Sequence, residues 1–152
     1  MRIVLVAIHP YPSPQAVPLG NAFLKAYLLT DEYLAERVSV TLCDFFAEDK
    51  IDASLSAILA ENPDAVGISV YLWNRSMACE LAALLHRANP RLVIFAGGPE
   101  PTADPEGMLA AAPLDFLILG EGEIPFVESM AALCSGRGPG EVKGTASLQE
   151  GV

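Results

Sequence analysis

The sequence has few basic residues. Nine lysines and arginines stand against 19 aspartates and glutamates, which gives the 152-residue chain a net charge of -10. A surface of this sign repels the phosphate backbone of DNA or RNA. We therefore expect no nucleic-acid partner.

Cysteine and histidine are also scarce. Cys43, Cys79 and Cys134 are widely separated with no CxxC pair, and the two histidines are His9 and His86. This spacing predicts neither a zinc site nor a disulfide framework, so a reduced, cytoplasmic setting fits best. We expect no metal ligands and no catalytic residues in this chain, because so few histidines leave no obvious base with a pKa near neutrality.

Long hydrophobic runs are absent as well. Hydrophobic residues make up 52% of the chain and its mean hydropathy is +0.37, which argues against disorder. No apolar run reaches the roughly 18 residues that a membrane span needs, and the first ten residues lack the cleavage site of a signal peptide. We expect a single soluble domain with no membrane partner.

Short apolar runs are present instead, and they alternate with segments of helical period. The runs cover residues 3–8, 38–43, 65–71, 92–96 and 116–119. Helices are predicted near Leu19, from a cap at Asp52 to Asn62-Pro63, and over 76–88, 105–112 and 124–134. Continuous apolar runs are typical of strands covered on both faces. The alternation predicts an α/β, flavodoxin-like (Rossmann-like) doubly wound sheet of five parallel strands in the order 2-1-3-4-5.

In such a sheet a ligand binds beyond the carboxyl ends of the strands, so the loops after strands one, three, four and five are the candidates for a binding site. These loops read HPYPSPQAVPLGN, SVYLWN (69–74), AGGPEPT (96–102) and GEGE (120–123). The first is stiffened by four prolines, and the glycines of the last two permit close approach of a ligand or of another backbone. Together they predict a floor for a large, flat, mostly uncharged ligand.

Each feature also has a structural interpretation that the residues leave open. Gly97 and Gly98 suit a tight strand-to-helix turn. Glu123 suits the first turn of a helix, where the helix dipole favours a carboxylate. Trp73 at a strand end suits partial burial.

Other ligand classes fit the loops poorly. A dinucleotide site needs GxGxxG after the first strand, whereas GEGEIP follows the last strand and has Pro125 in place of the third glycine. A phosphate-binding loop needs a glycine-rich first turn, and here that turn is built of prolines. A phosphoacceptor domain needs an acidic pair where this chain has His9-Pro10.

The four loop motifs in order, PYPSP…PLG, GISVYLWN, NPRLVIFAGGPEPT and LDFLILGEGEIPF, resemble the cobalamin-binding domain that precedes the catalytic barrel in B12-dependent radical SAM enzymes. The resemblance covers nearly the whole chain. It implies that cobalamin, and so cobalt, binds to residues 1–140, and that 141–152 form a linker or the start of a radical SAM domain. The tail GEVKGTASLQEGV (140–152) resembles the strand that leads into that domain. S-adenosylmethionine and a [4Fe-4S] cluster would belong to that absent domain, because this chain has no CxxxCxxC.

The resemblance also implies roles for individual residues. Ser69 would lie near the nucleotide tail of cobalamin, and Glu121 would hydrogen-bond to the ligand or to the loop. The tail slot would be lined by Gly97, Gly98, Gly120 and Gly122, and the corrin ring would lie on or beside Tyr71, Leu72, Trp73 and Asn74.

One departure from the wider cobalamin family concerns the axial ligand. Those domains carry DxHxxG, whereas His9 follows Ala7 at two residues and precedes Pro12 at three. The comparison implies cobalamin without a protein histidine on cobalt. The alternative is a ligand-free interaction domain of a radical SAM protein, in which Glu100, Asp104, Glu121 and Glu123 contact the neighbouring barrel.

Overall fold

The computed structural model describes residues 1–13, 17–139 and 142–148. Its strands are β1 (Arg2–His9), β2 (Ser39–Phe46), β3 (Ala65–Ser69), β4 (Val93–Gly97), β5 (Phe116–Ile118) and β6 (Thr145–Ala146). Its helices are α1 (Leu19–Leu28), α2 (Glu32–Ala35), α3 (Ile51–Ala60), α4 (Arg75–Ala88), α5 (Pro99–Ala103), α6 (Pro105–Ala111) and α7 (Glu123–Cys134).

The sheet has the order β2-β1-β3-β4-β5-β6. The first five strands are parallel and follow the predicted order, which confirms the doubly wound α/β fold. The prediction of five strands was one short: Thr145 pairs antiparallel with Ile118, and Ala146 with Leu117. A two-residue strand has too little apolar sequence to show a period, and the resemblance alone indicated a strand in the tail 140–152. It lies in the range expected to be a linker, and residues 140, 141 and 149–152 of the predicted domain boundary lie outside the described residues.

The helices also match the predicted segments, with differences in detail. The helix expected to begin at Asp52 begins at Ile51, with Lys50 as its N-cap and Asp52 in its first turn. The two shortest helices, α2 and α5, were not predicted, because four or five residues show no helical period. Among the described residues, no helix is long and apolar enough to span a bilayer.

Two apolar cores lie on opposite faces of the sheet. Helices α3, α4 and α6 cover one face with Ile58, Leu81, Leu85 and Met108. The other face, which we call the α1/α7 face, is covered through Leu28, Phe126 and Met130. Because strand side chains alternate between the faces, each inner strand supplies residues to both cores.

Candidate functional site

The carboxyl ends of β1, β3, β4 and β5 meet at one edge of the sheet, as the topology requires. A cavity of about 160 Å³ opens there on the α1/α7 face. Its walls come from β3, β4 and β5 and from the first turns of α1 and α7. The lining includes Gly20, Asn21, Leu24, Ser69, Tyr71, Gly97, Gly98, Gly120, Gly122 and Glu123. We call it the deep cavity.

Alternation along the strands explains why the cavity lies on this face. Ser69 pairs with Gly97 in the register of β3 and β4, so both positions face the same side of the sheet. Ala7 and Gly120 occupy the corresponding alternate positions after Leu5 and Ile118. Small residues at the top of adjacent strands therefore leave a space that larger side chains fill lower down.

The floor of the deep cavity is aromatic. The Phe95 ring lies over Gly67 so closely that a Cβ added at Gly67 would overlap the ring and stand 2.9 Å from Leu5 Cδ2. Phe95 also stacks on Phe116 at 5.0 Å between ring centroids and packs against Phe126 at 6.0 Å. The cavity is therefore closed from below by rigid apolar rings.

A second cavity of about 230 Å³ adjoins the first on the side of β1. The two share Gly20, Asn21, Ser69 and Tyr71 in their linings, and the second adds His9 and Trp73 among others. The Tyr71 and Trp73 rings stack with centroids 4.5 Å apart and planes 11° apart. Together the two cavities form a trough along the edge of the sheet, with a flat aromatic pair at its side.

Two hydrogen-bond systems hold the loops of this edge together. Asn74 is buried; its Oδ1 accepts from Tyr71 N at 2.8 Å, and its Nδ2 donates to the carbonyls of Ile8 and Ser69, each at 3.1 Å. Thr102 Oγ1 donates to Gly98 O at 2.8 Å and accepts from Gly120 N at 2.9 Å. The first system joins the β3 loop to β1, and the second joins the β4 and β5 loops. Such cross-links keep the trough in shape before a ligand binds.

The glycines of the rim differ in what a side chain would meet. At Gly98 φ is +114°, and an added Cβ would lie 2.7 Å from Val70 O, so this glycine is required by the turn. At Gly97 a Cβ would meet Ile118 at 3.6 Å, and at Gly122 it would meet Leu24 Cδ2 at 3.3 Å. Gly97 and Gly122 therefore leave room, whereas Gly98 has the structural role that the sequence left open.

The remaining predicted residues lie around the trough. Leu72 is 81% exposed and Trp73 is 53% exposed, with Trp73 Nε1 donating to Ile8 O at 3.2 Å. Glu121 is exposed. Glu123 is the first residue of α7 and lines the deep cavity, so the helix-start interpretation is confirmed.

Two carboxylates considered as partner contacts are already paired within the chain. Arg75 donates to Glu100 Oε2 at 2.9 Å and to Asp104 Oδ2 at 2.6 Å. The hydrogen bond from Arg75, together with the one from Gly107 N, lowers the pKa of Asp104. This ion pair joins α4 to α5 and α6 and does not line the deep cavity.

His9 lies at the end of β1, where its Nε2 is 2.9 Å from Asp44 Oδ1 on β2. Its ring also packs against Phe46, with centroids 5.8 Å apart. His9 is thus a partly buried strand residue with an intramolecular partner, at the border of the second cavity.

Asn21 was missed by the sequence analysis. It is 3% exposed on α1, its Oδ1 accepts from Ser69 Oγ at 2.7 Å, and its Nδ2 has no hydrogen-bond partner. A buried unpaired N–H costs about 1–3 kcal/mol. A polar residue at an inward position of α1, where Leu24 and Leu28 follow, was the signal that could have revealed it.

Comparison with known proteins agrees with this geometry. The B12 binding domain family matches residues 15–129. An uncharacterised methyltransferase of Pyrococcus horikoshii is 31% identical over 97% of this chain and 32% of its own length. The cobalamin-dependent radical SAM methyltransferase TokK of Streptomyces tokunonensis is 27% identical over 88% of this chain and 19% of its own.

A solved structure gives the same result. The cobalamin-dependent S-adenosylmethionine radical enzyme OxsB, with aqua-cobalamin and S-adenosylmethionine bound, superposes with a TM-score of 0.80 at 25% identity, over 98% of this chain and 21% of that one. The chain thus spans a third or less of the length of each of these three relatives. The resemblance carried by the four loop motifs is confirmed: the chain belongs to the B12 binding domain family.

Proposed function

We propose that the trough holds cobalamin and presents it to a radical SAM catalytic domain. The observation that carries the proposal is the deep cavity, which the start of α1 and the loops after β3, β4 and β5 build at the ligand-binding edge of the sheet. Its volume of about 160 Å³ lies below the roughly 300–1,000 Å³ of pockets that enclose a whole drug-sized ligand. It suits one arm of a larger ligand, with the rest of the ligand above it.

The residues present fit this cofactor. Gly97 and Gly122 leave a slot that a Cβ would narrow, Phe95 closes it with an apolar floor, and Asn21 offers an unused N–H at its wall. We assign the nucleotide tail to this slot, beside Ser69, Gly97, Gly98, Gly120 and Gly122.

The corrin ring is assigned to the exposed surface above the slot. Leu72 and Trp73 present apolar area to solvent, and the Tyr71 ring stacks on the Trp73 ring. Asn74 supports this surface through its hydrogen bonds to Tyr71 and Ile8. Glu121 is exposed next to the glycines and completes the assignment as an acceptor for an amide of the ligand. When bound, the corrinoid supplies a cobalt centre that can carry a methyl group or assist a radical rearrangement.

Reconstitution tests the assignment directly. The purified chain, incubated with hydroxocobalamin and desalted, should retain corrinoid absorbance in the visible spectrum. Gly122→Val should reduce retention by about 10-fold or more, because overpacking a tight site typically costs about 1–3 kcal/mol and this change adds a whole isopropyl group.

The matched control is Gly138→Val, since a Cβ at Gly138 meets no atom within 4 Å. Circular dichroism should report the same fold for both variants. A wild-type chain that retains no corrinoid would favour the ligand-free interaction domain, and equal retention by Gly122→Val would remove the slot from the site.

The axial position of cobalt provides an independent test. We propose that no protein histidine binds it, since His9 already contacts Asp44. Bound Co(II) should therefore give an electron paramagnetic resonance spectrum without nitrogen splitting from a histidine imidazole. Splitting that disappears in His9→Gln would contradict this.

The catalytic domain is the second part of the proposal. It is supported by the length of the relatives, of which this chain spans 32% and 19%. Sequencing the gene beyond codon 152 should reveal a CxxxCxxC motif, which would supply the [4Fe-4S] cluster and bind S-adenosylmethionine. A stop codon without that motif would refute the linked domain.

A further inference from the structure

The polar group of Asn21 stands at an unusual place in the fold. Its side chain is 3% exposed on the inward side of α1, and it borders both the deep cavity and the adjoining cavity. The other inward residues of the helix are apolar, Leu24 and Leu28. A buried amide at this position weakens the apolar packing, so a role other than packing must explain it.

The hydrogen bond from Ser69 determines which half of the amide is free. Ser69 Oγ donates to Asn21 Oδ1 at 2.7 Å, which engages the carbonyl half and the serine proton together. The Nδ2 of Asn21 then remains buried with no partner. The site therefore offers a ligand one N–H donor from Asn21, while the hydroxyl proton of Ser69 is in use.

The surroundings restrict the acceptor that this N–H would meet. Leu5, Leu24, Phe95 and Ile118 line the deep cavity, so the buried part of the ligand must be largely apolar. Glu123 also lines the cavity, and its carboxylate disfavours an anionic acceptor such as a phosphate oxygen. A neutral nitrogen in a flat aromatic ring satisfies both conditions.

We propose that Asn21 recognises the aromatic base of the ligand's lower tail by donating its Nδ2–H to an unprotonated ring nitrogen of that base. This rests on the proposed function, since it names the group within the same slot. The consequence is a preference among corrinoids for tails whose base carries such a nitrogen.

Three probes separate the possible acceptors. Cobalamin carries a benzimidazole nitrogen and a phosphate, p-cresolyl cobamide carries the phosphate without a ring nitrogen, and cobinamide lacks the whole nucleotide tail. Dissociation constants are measured by visible absorbance with the full chain. Asn21→Asp keeps the size and the acceptor for Ser69 and replaces the amide donor by a carboxylate. Any effect of the added charge on the phosphate is common to cobalamin and p-cresolyl cobamide, so the ratio of their two dissociation constants isolates the donor.

Asn21→Asp should weaken cobalamin by about 10-fold or more relative to p-cresolyl cobamide. Asn21→Ala adds no charge, so it should weaken cobalamin and leave p-cresolyl cobamide and cobinamide unchanged within about 2-fold. Without ligand it should unfold close to the wild-type temperature, because the loss of the hydrogen bond from Ser69 offsets the removal of the unpaired N–H. A residue with a merely structural role would lower that temperature and weaken all three probes. Ser129→Ala is the matched control, since Ser129 Oγ is also buried without a partner but does not line the cavity.

The outcomes separate this inference from the proposed function. If wild-type chain binds none of the probes, the proposed function fails, and this inference with it. If wild-type chain binds cobalamin but Asn21→Asp binds it equally well, only the role of Asn21 is refuted. Equal weakening of cobalamin and p-cresolyl cobamide would place the acceptor on the phosphate or ribose and would also refute the ring nitrogen.

Discussion

The two faces of the sheet are covered in similar ways but differ at their upper ends. On the face covered by α3, α4 and α6, the gap between Ile68, Val70, Ala78 and Met108 holds no space for a water molecule. On the α1/α7 face, a cavity of about 160 Å³ opens at the same height. The same strands build both faces, so the difference arises from alternate residues along each strand.

The alternate residues at the carboxyl ends account for the difference. Toward the filled face these ends present Ile8, Val70, Ala96 and Leu119, whereas toward the α1/α7 face they present Ser69 on β3, Gly97 on β4 and Gly120 just after β5. Three of the four side chains on the filled face are large and close it, and the small residues of the other face leave it open to a ligand. One sheet thus has a packed core on one face and a binding site on the other, because alternate residues along each strand differ in size.

The largest expected effect is on stability and compares truncations on the two faces. Leu81→Ala, at a fully buried position of the filled face, should lower the free energy of unfolding by about 2–5 kcal/mol. Leu24→Ala should cost about 1–2 kcal/mol, because its side chain already borders a cavity. Urea unfolding measures both, and equal losses would contradict the difference between the faces.

A smaller loss of stability is expected for a substitution at Gly98, in the turn between β4 and α5. Gly98→Val should lower the free energy of unfolding by roughly 2–4 kcal/mol, since it combines a positive φ with a clash against Val70 O. The control is Gly136→Ala, where φ is +72° and a Cβ meets nothing within 4 Å. It should cost about 1 kcal/mol. Thermal and urea unfolding measure the stability of both variants. A larger loss in Gly136→Ala than in Gly98→Val would show that the turn does not require Gly98.

Neighbouring residues of β4 sharpen the comparison further. Gly97→Val should weaken hydroxocobalamin binding by about 10- to 100-fold with little loss of stability, because it fills the deep cavity. Ala96→Val faces the filled core and should lower stability by about 1–3 kcal/mol while binding stays near the wild-type value. Absorbance titration measures cobalamin binding by the two variants, and urea unfolding measures their stability. Loss of binding in Ala96→Val would contradict separate roles for the two faces of β4.

The smallest expected effect concerns the ion pair beside α4. Arg75 lowers the pKa of Asp104 in the folded state, so the pair stabilises the chain above the unfolded carboxyl pKa and loses this contribution as pH falls through the folded value. Asp104→Asn keeps an acceptor for Gly107 N and removes the charge. The variant should unfold slightly below wild type at about pH 7, and the difference should shrink progressively as the pH falls below the ordinary aspartate pKa of about 3.9. A difference independent of pH would exclude the ion pair as its cause.

Much of the fold could be predicted from local patterns. Apolar runs and helical periods identify five strands and five helices, because each is long enough to show a period. The strand β6 shows no period, because it is only two residues long, and only the family resemblance of the tail 140–152 indicated a strand there. Phe23 and Tyr27 mark α1 by their spacing, yet they are 55% and 42% exposed, because the helix turns Leu24 and Leu28 toward the core.

The site was predictable in part for the same reason. The glycines and Ser69 follow directly from strands whose order the alternation of elements predicts, so they could be assigned to one edge. Asn21 and Thr102 end two of the quoted loops, but their roles could not be assigned, because these depend on hydrogen bonds with Ser69 and Gly120, which are far away in sequence.

The sequence alone determined the fold class, the edge of the sheet that carries the site and the family, since these depend on periodicity and on motifs within short segments. Only the tertiary structure decided that the small residues of β3, β4 and β5 share one face, that Gly98 is required by its turn, and that the amide of Asn21 is buried with one free N–H. The reason is physical: a period reports which side of its own element a residue takes, whereas a cavity and an unpaired donor arise from what the other elements place opposite.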